Sequence, residues 1–70
     1  MSLVESRGQL TKLHRDLLNR WMMVRSEWND ARAEYFEQQY LRPLEIEVRK
    51  AIAAMDQMNI ILNKIVQDCE

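Results

Sequence analysis

The sequence has one glycine, one proline, one cysteine and one histidine in 70 residues, and each scarcity excludes something. A sandwich, a barrel or a doubly wound α/β fold needs frequent turns, and the turn-forming residues for them are missing. Cys69 has no second cysteine to close a disulfide, and with His14 alone it cannot assemble a metal site. No block of like charge exists either. Ten Lys and Arg stand against eleven Asp and Glu, giving a formal net charge of -1, and the two signs are interleaved. The longest basic cluster is Arg49-Lys50, too little to neutralise several phosphates at once, so nucleic acid is not expected as a partner. A basic face for peripheral membrane binding is lacking as well. No apolar run approaches the roughly 18–20 residues of a membrane span. The segment Met1 to Arg7 has no basic stretch followed by an apolar one and no small-residue cleavage site, so a cleavable secretion signal is not expected. The expected location is the cytoplasm, or outside the cell by a route without such a signal.

What is present is 47% hydrophobic and 30% charged residues, the make-up of a soluble all-α chain read as a single domain over residues 1–70. A lone core in a chain this short supplies about 3–5 kcal/mol at best. Without disulfides or a metal, oligomerisation is the remaining source of stability. Apolar residues recur at Leu10, Leu13, Leu17, Trp21, Val24 and Trp28, in steps of three and four that place them on one side of a first helix. A second stripe, Leu44, Val48, Ala51, Met55, Met58, Leu62, Ile65 and Cys69, alternates steps of four and three as a coiled-coil seam does. Ile52, Ile61 and Val66 widen it beyond what a two-stranded seam needs, which predicts contact with more than one helix.

The turn between the stripes has two candidates, Asn29-Asp30 and Leu41-Arg42-Pro43. Read backwards, the second stripe continues through Tyr40 and Phe36 to Ala33, and Asn29 and Asp30 are good N-cap residues. Against this, proline within a helix removes a hydrogen bond and costs about 3 kcal/mol or more. With the first choice, helix 1 spans about 3–28 and helix 2 about 31–68, the latter bent or broken at Pro43. The second arm is then the longer, roughly 57 Å against 39 Å at 1.5 Å per residue. Its seam is expected to lack an intramolecular partner from about Val48 or Ala51 onward. Two such hairpins, antiparallel, would close a four-helix bundle by symmetry.

The turn reads Trp28-Asn29-Asp30, with Phe36 following. Here the chain resembles the Trp-Xaa-Gly superfamily of small helical hairpins tied to bacterial type VII secretion. In the resemblance Trp28 matches the turn tryptophan, Asp30 stands in the glycine position, and Phe36 matches the aromatic residue inside the second helix. The resemblance implies a dimeric four-helix bundle, a homodimer or a heterodimer with a related hairpin, working with a secretion-system component. No Tyr-Xaa-Xaa-Xaa-Asp/Glu export signal follows Tyr35 or Tyr40.

No catalytic residue is expected. His14, at the edge of the first stripe, has no partner spacing for metal or triad chemistry. Glu34 and Glu37, and Glu45 and Glu47, read as solvated surface; Asp16 with Arg20 and Glu45 with Arg49 read as i,i+4 pairs. Arg15, Arg20, Arg25 and Arg49 face several directions on an ideal helix and do not predict a converging anion site. Trp21 and Trp28 are expected as core anchors, the methionines as core filling, and Asn59 as a polar residue beside the seam able to fix register. No cofactor is expected. The function expected is assembly through Leu10, Leu13, Leu17, Trp21 and Val24 of the first stripe and the whole second stripe, either in secretion or as a cytoplasmic adaptor.

Overall fold

The computed structural model describes residues 2–69, and these are helical almost throughout, with no strand among them. Helix α1 runs from Leu3 to Glu27. Ser2 starts it by accepting a hydrogen bond from the Glu5 N–H at 3.1 Å, which satisfies one of the orphan donors of the first turn. The chain leaves α1 at Trp28, in an extended conformation with its N–H still donating to the Val24 carbonyl. Asp30 starts helix α2, Ala31–Phe36, its Oδ1 accepting from the N–H groups of Arg32 and Ala33 at 3.0 Å each.

The two candidate turns are therefore unequal. The reversal is at residues 28–30, and the helix passes Pro43 without a break. It does so through one π-helical turn, Glu37–Leu41, that leads directly into helix α3, Arg42–Cys69. The Arg42 N–H donates to the Glu37 carbonyl, five residues back. Proline has no N–H to give, and its ring crowds the carbonyl four residues back. A wider turn just before Pro43 removes the competition for that carbonyl, so the strain is absorbed by winding instead of by a gap.

The two long arms lie side by side and antiparallel. Arg7 of α1 forms an ion pair with Asp56 of α3, and near the turn Trp21 Nε1 donates to Glu37 Oε1 at 2.9 Å. Setting Arg7 level with Asp56 puts Leu3 level with about residue 60. Every residue from Ile60 to Cys69 is exposed, while Asn59 is half-buried. About nine residues, some 13 Å of helix, thus project beyond the start of α1. The overhang is shorter than the expected one: Val48, Ala51 and Met55 are half-buried, because a 25-residue α1 held level with α3 at Arg7–Asp56 runs alongside them.

The positions that meet between the arms coincide only in part with the two stripes. On α1 they include Leu3, Leu10, His14, Leu18, Trp21 and Arg25, and on α3 Glu45, Val48, Ile52, Met55 and Asn59, with Leu41 just before it. Leu13, Leu17, Val24 and Trp28 remain exposed, as do Leu44, Met58, Leu62, Ile65 and Cys69. On each helix the exposed set is turned from the inward set by roughly 70–80° at 100° per residue. The sense of rotation along the sequence is the same in both, and because the helices are antiparallel both exposed sets fall on one side of the two-helix layer.

Candidate functional site

Packing within the chain is thin. Among the described residues only Ala33 and Leu41 are buried. The accessible surface is 6089 Å², whereas a compact monomer of 8.4 kDa would show about 4,600 Å². The excess is about 1,500 Å². The radius of gyration is 17.0 Å, against about 11 Å for a compact 70-residue domain. The molecule is a slab of 59 × 18 × 11 Å, one helical layer thick.

The two sides of this slab differ. One carries Leu13, Leu17, Val24, Leu44, Met58, Leu62 and Ile65, with Ile61 and Val66 at the projecting tip. Leu13 is 66% exposed, Met58 53% and Ile65 51%. The other side has two shallow grooves between the arms. One, of about 430 Å³, is lined by Leu18, Trp21, Leu41 and Ile46 together with Glu37, Arg42, Glu45 and Arg49. The second, of about 320 Å³, brings Arg15 and Arg49 to one hollow with Thr11, His14 and Glu45. Two of the four arginines that an ideal helix would scatter are thus neighbours. Arg49 already pairs with Glu45 at 2.8 Å, which offsets the positive charge an anion would need. The expected Asp16–Arg20 pair does not form among the described residues; Arg7–Asp56 and Lys50–Glu47 do.

At the turn end an aromatic cluster holds the arms together. Trp21 meets Trp28 edge to face at 6.1 Å, Phe36 lies 5.1 Å from Trp21, and Tyr40 lies 5.2 Å from Phe36. Such contacts are worth about 0.5–1.5 kcal/mol each beyond burial. Trp28 and Phe36 still show 37% and 38% of their surface, so Trp28 is a partly open anchor and not a core residue. Glu37, expected on the solvated surface, is instead half-buried and holds the Trp21 indole. A helix-surface carboxylate gives no sequence sign of this, because the indole that selects it is sixteen residues away.

The seam between the arms is imperfectly satisfied. His14 Nε2 and one Arg25 guanidinium nitrogen are enclosed there without a hydrogen-bond partner among the described residues, a cost of about 1–3 kcal/mol for each such group. No group of three potential metal ligands occurs among the described residues, and Cys69 is free and exposed. Among the described residues no helix is long and apolar enough to cross a membrane.

Comparison with protein-family models, with curated proteins and with solved structures yields no match. The turn residues can be read without a relative. Asp30 has φ -127° and ψ -177°, extended backbone open to any residue, and none of the described residues has a positive φ. This turn does not require glycine at position 30. An aspartate there adds two cap hydrogen bonds that glycine cannot make.

Proposed function

We propose that this chain is a non-enzymatic assembly protein, a helical hairpin that works by laying its apolar side on a second helical layer. The partner layer is another copy or a related hairpin, and the product is a four-helix bundle. The observation that carries the reading is the combination of an almost coreless layer with one continuous apolar side. Burial drives association in proportion to apolar area, and the excess of about 1,500 Å² in total surface over a compact monomer leaves room for the roughly 800 Å² that each partner contributes to a standard interface.

The turn adds the resemblance to the Trp-Xaa-Gly hairpins, through Trp28, Asp30 and Phe36, and with it a role in a type VII-like export system as substrate, chaperone or co-secreted partner. A second reading, a cytoplasmic adaptor or dimerisation module unrelated to secretion, uses the same side of the layer. It is favoured by one feature, the lack of a Tyr-Xaa-Xaa-Xaa-Asp/Glu signal after Tyr35 and Tyr40.

Light scattering after size exclusion, with circular dichroism on the same dilution series, tests the assembly. A dimer whose helicity falls on dilution supports it, and a stably helical monomer at all concentrations refutes it. Export is tested by tagging the chain in a host with a type VII translocase and in a translocase-deleted sister strain. Appearance in the medium of the first alone supports secretion; retention in both favours the adaptor.

A further inference from the structure

Resting on the reading that the apolar side binds a helical layer, we propose that its occupant is a second copy of this chain in one particular register. Each copy's projecting α3 tip lies antiparallel across the apolar side of the other, over Val48, Ala51 and Met55. The argument begins with the seam's own spacing. Its steps from Leu44 to Cys69 read four, three, four, three, four, three, four, the same forwards and backwards. Reversed against itself, the seam pairs Leu44 with Cys69 of the second copy, Val48 with Ile65, Ala51 with Leu62 and Met55 with Met58. Each layer joins an a-type to a d-type position, the arrangement that antiparallel helices require for knobs to enter holes.

Side-chain size agrees with this register. Ala51, the smallest residue of the seam, receives Leu62, and Ala54 faces Ile61, so small meets large in both rows. The burial pattern agrees too. The distal half of the seam, Met58 to Cys69, is exposed, while Val48, Ala51 and Met55 form a half-covered floor. Leu13 is level with about residue 50 of α3 and Leu17 with about residue 46. Both stand exposed on α1 beside that floor, where Leu62 and Ile65 of the second copy come to lie. Among the described residues the tip is exposed throughout, as are the positions that flank the floor; one exchange covers both.

Cys69 supplies the probe. In this register the two Cys69 residues are about 38 Å apart along the axis, far beyond the roughly 7 Å that a disulfide spans between Cα atoms. Position 44 lies beside Cys69 of the other copy, and within one chain the two are also about 38 Å apart. The full-length chain is therefore oxidised in a glutathione buffer as wild type, as Leu44→Cys and as Leu44→Cys with Cys69→Ser, each with its mass in solution measured by light scattering. A covalent dimer in Leu44→Cys alone is the expected result. A dimer that cross-links as wild type overturns the register in favour of adjacent, parallel tips. A dimer in which Leu44→Cys does not cross-link overturns the register and leaves the broader reading standing. A stably helical monomer overturns both, and a chain that stays unfolded at every concentration overturns self-association in favour of a different hairpin as partner.

Discussion

Leu62→Asp and Ile60→Asp place the same charge two residues apart on the projecting helix, and they should have opposite consequences. Both positions are open in the single chain, Leu62 at 46% and Ile60 at 68%, and neither side chain is covered by α1. Folding of one chain therefore changes only by helix propensity, about 0.5 kcal/mol in either case. The helical wheel separates them. Leu62 lies within the seam, and Ile60 is turned from it by roughly 170° at 100° per residue. In the dimer, Leu62→Asp loses the remaining half of a leucine's burial, about 1 kcal/mol of the ~1.5–3 kcal/mol that full burial is worth. It also places a carboxylate against apolar side chains, at least ~1–3 kcal/mol more. The change occurs twice in a homodimer, giving at least about 4 kcal/mol, or roughly a thousandfold in Kd. Sedimentation equilibrium or a light-scattering dilution series reads this directly, with circular dichroism as the measure of helicity. The expected result is a mostly monomeric, less helical Leu62→Asp and a dimeric Ile60→Asp. Equal weakening by the two variants, or a Leu62→Asp that stays dimeric and fully helical, refutes the reasoning.

Asp30→Ala removes both cap hydrogen bonds and should cost about 1 kcal/mol, lowering Tm by roughly 4–8 °C in thermal melts; Asp30→Gly should cost only a few tenths of that energy. Glu37→Ala frees the Trp21 indole N–H and should cost about 1–3 kcal/mol with a shift in tryptophan fluorescence, while Glu37→Gln, which keeps an acceptor, should preserve most of both. A double-mutant cycle on Arg7 and Asp56, whose side chains are about half exposed, should give a coupling of no more than about 1 kcal/mol that shrinks with added salt. Ala51→Trp overfills the position that Leu62 of a second copy would meet and should weaken dimerisation at least as much as Leu62→Asp, with helicity at high concentration retained; an unchanged dimer would contradict the antiparallel register.

The helical class and the capping chemistry at Asp30 were legible in the sequence because each rests on local chemistry. Apolar spacing of three and four fixes a helix face, and a side-chain acceptor before Ala31 fixes a start. What periodicity does not carry is direction around the helix. The apolar stripes of α1 and α3 give the centre of each oily face, yet the arms touch on flanking positions that include His14, Arg25, Glu45 and Asn59. A pattern of apolar residues cannot tell the face that meets its own chain from the face left open. Pro43 misleads for a different reason. It marks a break wherever the preceding residues wind as an α-helix, and the π turn at Glu37–Leu41 that carries the chain past it has no composition of its own. Glu37 was legible as a helix residue only, since its bond to Trp21 depends on how the turn folds the arms together.

The unequal length of the arms bears on how many copies can join. A protruding end and a matching hollow on one molecule are the ingredients of an endless fibre, in which every copy plugs into the next and leaves a fresh end free. Here the protruding end and the floor that would receive it lie on the same side of a flat layer and belong to the same helix. If one copy docks in the register proposed above, its own floor is already presented to the chain it meets, and the return docking would use up the last free end. In that register the stagger of the arms would limit the assembly to two.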